Sequence, residues 1–168
     1  MNILLNLVDS GLKKILVILI TAMVACVSWQ VFSRYVLNDP SSITEELARF
    51  LLMWISLLGA CYAYRTRMHL GLDLVVNQFS EKYQHKASQF ALIVTMVFSV
   101  SVMVVGGFNL AWIAWELKQQ SAALNISMAW VYSVMPISGL IITFYAGFYL
   151  FNHQAFVNAL APTHEGED

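Results

Sequence analysis

Hydrophobic residues in this chain fall into four long runs, and none of the four contains a charged residue. A helix needs roughly 20 apolar residues to cross the hydrocarbon core of a bilayer. The runs, extended by their flanking residues, therefore predict four transmembrane helices at about 13–36, 44–65, 87–116 and 126–152.

The segment between the second and third runs has the spacing of an amphipathic helix. Its apolar residues recur every three to four positions and its polar residues fall mostly on the opposite face. The apolar set is Leu72, Val75, Val76, Phe79 and Tyr83, and the polar set is Asp73, Asn77, Glu81 and Gln84. This pattern predicts an interfacial helix at about 70–85, lying along the membrane surface.

Two runs predict irregular helices. The third run has 29 charge-free residues, about 43 Å of straight helix, so the span should tilt or project beyond the bilayer. Gly106 and Gly107 offer a place for a bend. In the fourth span, Pro136 lacks an N–H and predicts a kink, and Ser133 is placed to bind the carbonyl that the proline leaves free.

The second run is short, at 15 residues, or about 22 Å of helix against about 30 Å of hydrocarbon. Three arrangements would accommodate it. Glu46 and Arg49 enter the edge of the hydrocarbon as a pair, Arg65 snorkels from the other end, or the bilayer thins beside a larger protein. Snorkelling with a protein neighbour is favoured over a substrate site, because charges at span ends are common anchors.

Composition supports one membrane domain. Hydrophobic residues make up 59% of the 168 positions and charged residues only 11%, against about 25% charged in an ordinary soluble domain. We therefore predict an all-α polytopic membrane protein with a single membrane domain over residues 1–168.

The positive charges predict an orientation. Six Lys and Arg residues precede the first run or lie between the second and third, and three lie on the opposite side. The positive-inside rule then places both termini, and the segment that contains the interfacial helix, in the cytoplasm.

Charged residues cluster at the ends of the first two spans. Ser42 and Glu45 have the spacing of a capping box at the start of the second helix, and Glu45 and Arg49 have i,i+4 spacing. We interpret the cluster as contacts to a partner protein or to lipid headgroups. Its members are Arg34, Tyr35, Glu45, Glu46, Arg49, Arg65, His69 and Asp73.

The spans lack the residues that membrane chemistry needs. Their middles contain no Asp, Glu, His, Lys or Arg, so the sequence shows no proton relay, no ion-coupling carboxylate and no haem ligands. Cys26 and Cys61 have no CxxC spacing and are interpreted as small buried residues. We predict no catalytic, cofactor or metal site, no enzyme activity and no nucleic-acid partner.

Small residues within the spans predict close helix packing. Ser56 with Ala60, and Gly59 with Ala63, are spaced for it in the second helix, and Gly139, Thr143 and Gly147 in the fourth. Whether these faces pack within the chain or against another subunit stays open. Polar residues in the spans, such as Ser99 and Thr143, are expected to form hydrogen bonds between helices.

Several of these residues, taken in order, resemble one membrane-protein family. They are Ser33-Arg34-Tyr35, Glu45-Glu46, Arg49, Trp54, Gly59-Ala60, Arg65, His69, Asp73, Gln120-Ser121-Ala122-Ala123-Leu124, Ile126, Met128-Ala129-Trp130-Val131-Tyr132 and Pro136. The pattern resembles the small membrane subunit, the DctQ family, of tripartite ATP-independent periplasmic (TRAP) transporters. The chain departs from it at Ile43, where members often carry tryptophan.

The resemblance implies a non-catalytic, multi-pass subunit of the bacterial inner membrane. By the same resemblance it would pair with a large TRAP membrane subunit that carries the substrate and sodium sites, and work with a periplasmic substrate-binding protein. Its role would be to scaffold an elevator-type transporter for sodium-coupled uptake of organic anions, of the sialic acid or C4-dicarboxylate type.

Two other classes stay open at this point. A stand-alone four-helix transporter would need a membrane-embedded carboxylate, and a membrane anchor of a redox complex would ordinarily place histidines inside its helices. The outer loops, 38–42 and 118–125, are predicted contacts for the binding protein.

Overall fold

Long helices account for most of the computed structural model, which describes residues 2–66 and 81–151. We number them in chain order. The helices are α1 (Asn2–Tyr35), α2 (Ser42–Thr66), α3 (Glu81–Phe98), a π-helical segment (Ser99–Gly106), α4 (Gly107–Glu116), α5 (Met128–Tyr132) and α6 (Val134–Phe151). The first and second spans are α1 and α2. The third span joins α3, the π-helical segment and α4, and the fourth joins α5 and α6.

Four helices in this part of the chain are long and apolar enough to cross a membrane, which confirms the four spans. They are Leu5–Tyr35, Ser42–Thr66, Gln89–Glu116 and Met128–Leu150. The orientation in the membrane stays a prediction. His69, Asp73 and most of the predicted interfacial helix lie outside the described residues, and α3 begins at Glu81, within the range predicted for that helix.

The spans do not pack in chain order. The first span packs mainly on the second, the second packs on the fourth, and the fourth packs on the third. The second and fourth spans are therefore central, and Cys61 on α2 and Tyr145 on α6 are both fully buried. Both cysteines are free and buried, as predicted.

Burial is highest in the fourth span. Within the most apolar window of each span, 33% of residues are buried in the fourth span but only 11% in the first. The central fourth span is thus covered by its neighbours, whereas α1 leaves residues such as Val17, Ile18 and Val24 exposed. Such surfaces are stable when lipid or another protein covers them.

Close contact between the third and fourth spans depends on two glycines. A Cβ atom placed on Gly139 would lie 2.7 Å from Met103 Cβ, and one on Gly107 would lie 2.8 Å from Met135 Cβ and 2.9 Å from Pro136 Cδ. Any larger residue at either position would push the two helices apart.

The irregularity of the third span lies before the two adjacent glycines. Gly106 and Gly107 both have ordinary helical dihedral angles, with φ at −65°. The backbone departs from the α-helix in the π-helical segment, which ends at Gly106. Ser99, its first residue, donates from Oγ to the Gly139 carbonyl at 2.8 Å, and Thr143 Oγ1 lies 3.2 Å from Ser99 Oγ. The predicted hydrogen bonds between helices are confirmed for these two residues.

The fourth span is interrupted at Ser133, between α5 and α6. Pro136 has no N–H to donate to the carbonyl four residues earlier, so the helix cannot continue regularly there. Ser133 was predicted to bind the carbonyl that Pro136 leaves free, and this prediction was wrong. Its hydroxyl donates to the Trp130 carbonyl at 2.7 Å, because a serine side chain reaches back to its own preceding turn.

Candidate functional site

At one end of the bundle, a single carboxylate binds the loop between the third and fourth spans. Glu46 lies in the first turns of α2 and accepts hydrogen bonds from three consecutive backbone amides. Ala122 N donates to Oε1 at 3.1 Å, while Ala123 N and Leu124 N donate to Oε2 at 2.7 and 3.1 Å. Consecutive amides pointing at one anion form a nest, and bonds to an ionised acceptor are the stronger kind. We call this arrangement the outer contact.

The loop around this contact, residues 117–127, has its own backbone structure. Lys118 has φ of 48°, and Gln119 N donates to the Ala114 carbonyl at 3.0 Å, which closes the end of α4 as a Schellman motif. Ser121 N donates to the Ile126 carbonyl at 2.9 Å, and Met128 N donates to the Gln119 carbonyl at 2.9 Å. The two ends of the loop are thereby paired, and its middle projects toward Glu46.

A groove of about 260 Å³ opens beside this loop. It is lined by Trp115, Lys118, Gln119, Gln120 and Ser127. The side chains of Lys118, Gln119 and Gln120 are exposed, and Trp115 is 61% exposed. The groove thus presents one aromatic ring among amide and ammonium groups.

The loop between the first two spans lies at the same end. Gln30 donates from Nε2 to the Thr44 carbonyl at 2.7 Å, and the Ser33 hydroxyl donates to the Asp39 carbonyl. These bonds hold the end of α1 against the start of α2. We use "outer end" for this end, following the predicted orientation.

The predicted capping box was wrong. The helix begins at Ser42, and the Glu45 amide donates to the Ser41 carbonyl at 3.3 Å. The Glu45 carboxylate instead faces Arg49 at 4.0 Å, with side chains 59% and 69% exposed. Arg49 therefore pairs with Glu45 and not with Glu46, whose carboxylate is occupied by the loop.

Arg34 and Tyr35 lie at the end of α1, and both side chains are exposed. Together with Glu45 and Arg49, they leave charged and aromatic groups open at the outer end. Glu46 differs from these four because its carboxylate serves the chain's own loop.

At the other end of the bundle, four side chains from three helices form one network. Asp9 of α1 lies 3.1 Å from Arg65 of α2, measured from Oδ2 to Nε. Tyr145 of α6 donates its hydroxyl to Asp9 Oδ1 at 2.6 Å. Arg65 Nη1 donates to the Tyr149 hydroxyl at 2.9 Å, and that hydroxyl donates to the Arg65 carbonyl at 3.2 Å. We call this arrangement the inner network.

The inner network is shielded from solvent, since the side chains of Asp9 and Arg65 are only 17% and 29% exposed. The sequence predicted a contact for Arg65 but not Asp9 as its partner. The signal was present, because Asp9 is an acidic residue just before the first apolar run and Arg65 directly follows the second. Adjacent antiparallel helices bring such positions to the same membrane face.

In residues 2–66 and 81–151, no group of three or more His, Cys, Asp or Glu side chains is arranged to hold a metal ion. The outer contact and the inner network both use their charges to join helices and loops of one chain. Fold and site thus define a multi-pass helical membrane protein whose polar groups fix its architecture.

Comparison with known proteins identifies the family within that class. The family model of the tripartite ATP-independent periplasmic transporters, DctQ component, matches residues 23–154. The match covers more than half of the chain, so this protein belongs to the DctQ family and is a small permease subunit of a TRAP transporter. It is a non-enzymatic transport component.

Three relatives are similar to this chain. The chain is 29% identical to the sialic acid TRAP transporter small permease protein SiaQ of Vibrio cholerae, over 83% of this chain and 80% of the relative. It is 28% identical to the isethionate TRAP transporter permease protein DctMQ of Oleidesulfovibrio alaskensis, over 75% of this chain but 21% of that protein. It is 26% identical to the sialic acid TRAP transporter permease protein SiaT of Haemophilus influenzae, over 68% of this chain and 18% of that protein.

Proposed function

We propose that this small permease subunit is a scaffold for a larger membrane subunit of the same transporter. In this proposal the large subunit carries the substrate and sodium sites, and the present chain braces it laterally. The complex lies in the bacterial inner membrane, with both termini of this chain in the cytoplasm. The observation that carries the proposal is the match of the DctQ component model to residues 23–154. The spans also leave open faces for a neighbour, since only 11% to 33% of their apolar windows are buried.

Low burial leaves helix faces open to lipid or to a protein, and close packing is what would favour a protein. Helices in a bilayer gain little from hiding apolar surface, because lipid tails are as apolar as leucine, and stable association depends on close packing. A packing face is available on α2, where Ser56 is exposed and a Cβ on Gly59 would meet nothing within 4 Å. The size of the relatives DctMQ and SiaT, of which the match covers about a fifth, is consistent with such a neighbour in the same polypeptide.

The predicted contact set supplies the proposed points of attachment. Its exposed members Arg34, Tyr35, Glu45 and Arg49 would meet the partner or lipid headgroups at the outer end. His69 and Asp73, which lie outside the described residues, stay proposed contacts on the cytoplasmic side. Glu46 and Arg65 would act differently, by fixing the helices that carry these groups.

The proposed cargo is an organic anion delivered by a periplasmic binding protein, with uptake coupled to sodium. The relatives carry sialic acid and isethionate in their names, and both compounds are organic anions. Sialic acid or a C4-dicarboxylate is the proposed type. The outer loops, including residues 117–127, would face the binding protein.

Affinity purification tests the scaffold directly. The chain is tagged at its C-terminus in its native membrane, solubilised in a mild detergent, and its companions are identified by mass spectrometry. We expect one larger polytopic protein in fixed ratio, and sodium-dependent uptake when both are reconstituted with the binding protein. Recovery of this chain alone, together with uptake by liposomes that contain only this chain, would establish a stand-alone transporter instead.

A variant pair sharpens the test. Arg49→Ala removes an exposed charge at the outer end, and Lys14→Ala removes an exposed charge from α1 near its other end. If Arg49 contacts the partner, only the first variant should lower the yield of the complex. Equal yields would remove Arg49 from the proposed contacts.

A further inference from the structure

A polar side chain lies on the exposed surface of the third span, at the depth of the hydrocarbon. Asn109 is the third residue of α4 and is exposed. The span Gln89–Glu116 has 28 residues, or about 40 Å of helix against about 30 Å of hydrocarbon, so about 5 Å projects at each end. Asn109 precedes Glu116 by about 10 Å along the helix. It therefore lies inside the hydrocarbon.

The Asn109 amide is directed away from the membrane surface. The Cα–Cβ bonds of a helix tilt toward its N-terminus, and α4 runs toward the outer end, where Glu116 is its last residue. The side chain therefore leans toward the middle of the bilayer. It is also too short to snorkel back as lysine and arginine do. Interfacial water is thus a poor partner for this amide.

No partner in the described part of the chain replaces that water, since the structure shows no hydrogen bond to the Asn109 side chain there. Ser101, an exposed polar residue of the same span, differs because its Oγ donates to the Val97 carbonyl at 2.6 Å. A primary amide without a partner is unfavourable in hydrocarbon. Asparagine side chains within membranes accordingly form hydrogen bonds to neighbouring helices.

The surface around Asn109 permits a close approach. Gly106, one turn earlier, is exposed, and a Cβ placed on it would lie 3.8 Å from the Ser101 carbonyl with no other described atom within 4 Å. Trp112, one turn later, is 56% exposed. A helix that packs at Gly106 can bring its backbone near and a polar side chain within reach of the amide. We call Gly106, Asn109 and Trp112 the Asn109 face.

We propose that the Asn109 face packs on a transmembrane helix of the large subunit, and that Asn109 forms a hydrogen bond with a polar side chain of that helix. The inference rests on the proposed function, which supplies the large subunit. It deepens that function by assigning the third span to the interface. The exposed surface of α1 is a poorer choice, because side chains such as Val17 and Ile18 are covered equally well by lipid.

A helix of the large subunit is favoured over a second copy of this chain. The matches to DctMQ and SiaT cover only 21% and 18% of those proteins. In each, a module of this kind is joined to a much longer remainder of the same polypeptide. The covalent link keeps module and remainder together in every molecule, so a contact between them needs no second module.

Photo-crosslinking tests which neighbour lies on the Asn109 face. The photoreactive residue p-benzoylphenylalanine is incorporated in place of Trp112 in the tagged chain, within its native membrane. Trp29 of α1, which is 50% exposed, is replaced in the same way as a matched control. We expect irradiation to join position 112 to a larger polytopic protein, several-fold more than position 29. Equal cross-linking from both positions would overturn the choice of face, and a product of two copies of this chain or of lipid alone would overturn the choice of partner.

Three variants test the hydrogen bond itself. Asn109→Leu removes the amide, Asn109→Gln keeps an amide on a longer side chain, and Ser101→Ala removes a hydroxyl that bonds to its own helix. The amount of large subunit recovered with the tagged chain at rising detergent concentration should fall several-fold in Asn109→Leu and less in Asn109→Gln. It should stay at the wild-type level in Ser101→Ala. Wild-type recovery with Asn109→Leu would overturn the hydrogen bond.

Thermal unfolding of the full chain without its partner separates docking from folding. Asn109→Leu should leave the melting temperature unchanged or raise it, because the amide has no partner in the described part of the chain. A clear fall would place the partner of the amide within this chain and overturn the proposal. If Asn109→Leu does not fold, the cross-link at position 112 decides alone.

The two proposals fail in different ways. Wild-type chain that recovers no larger polytopic protein would refute the proposed function itself. Wild-type chain that recovers such a protein, but does not cross-link to it from position 112, would refute only the assignment of the Asn109 face.

Discussion

At the outer end of the bundle one side chain meets three backbone amides, whereas at the inner end four side chains meet one another. Glu46 binds only backbone amides of the loop. The identities of residues 122–124 therefore matter little as long as their N–H groups are present. The inner network, in contrast, depends on the side chains of four residues: Asp9, Arg65, Tyr145 and Tyr149. The outer contact should therefore tolerate substitution in the loop, and the inner network should tolerate almost none.

The two ends also differ in what they join. The inner network ties α1, α2 and α6 to one another, and so it directly supports the packing order of the spans. The outer contact ties α2 to a loop that is not part of any span. We expect the inner network to contribute mainly to stability and the outer contact mainly to the shape of the exposed surface.

Breaking the inner network should have the largest effect. Arg65→Ala leaves the Asp9 carboxylate, only 17% exposed, without its cation, and removing one partner of a shielded pair costs about 3 kcal/mol or more. The free energy of unfolding in mixed micelles should fall by about that amount. The double variant Asp9→Asn with Arg65→Ala should be less damaging than the sum of the single changes. Additive effects would show that the two side chains are not coupled.

Two glycines of α6, Gly139 and Gly147, provide a second comparison. Gly139→Ala places a Cβ 2.7 Å from Met103 Cβ, and overpacking of this kind costs typically 1–3 kcal/mol. Gly147→Ala in the same helix meets nothing within 4 Å, so it should leave stability unchanged or raise it. Thermal unfolding of the two variants in detergent would check this. A similar fall for both would mean that the close approach at Gly139 is not the cause.

Within the outer loop, one substitution should stabilise. Lys118 has φ of 48°, a conformation that costs an L-residue roughly 1 kcal/mol and glycine almost nothing. Lys118→Gly should therefore slow hydrogen exchange at the end of α4, and Lys118→Ala should not. If both variants behave alike, the side chain rather than the backbone of Lys118 matters at this position.

The smallest effect is expected at the exposed ion pair of the outer end. Arg49 and Glu45 are 69% and 59% exposed and 4.0 Å apart, and such pairs contribute about 0–1 kcal/mol. Arg49→Ala should leave the unfolding of the isolated subunit nearly unchanged, whatever it does to assembly. A fall in the free energy of unfolding as large as that in Arg65→Ala would show that the two ends do not differ in their contribution to stability.

Much of the fold was predictable from the sequence because hydrophobicity is a sum over neighbouring residues. About 20 consecutive apolar positions specify a span without reference to any other part of the chain. The break of the fourth span near Pro136 was predictable for the same reason, since a missing N–H acts on its own helix. The capping box failed because the helix begins at Ser42, which makes Ser42 its first helical residue and not its cap.

The site was predictable only in part. Glu46 and Arg65 were singled out as charges at span ends, and the motif around Ser121 contributed to the family resemblance. Their pairings were not foreseen. Nothing in the local pattern says that Glu46 should meet residues 122–124. The opposite charges of Asp9 and Arg65 at span ends were visible in the sequence, but their pairing across 56 positions depends on α1 and α2 being neighbours.

By itself the sequence determined that this chain has four apolar spans, that their middles carry no ionisable residue and that the chain resembles the DctQ family. The tertiary structure decided which charges meet, because pairing depends on which helices are neighbours. The fourth span packs closely on the third at positions such as Gly139, and the inner network formed where the ends of three helices converge. Lateral order in a membrane is set by the fit of side chains between helices, and that fit is a property of pairs of surfaces rather than of any one segment.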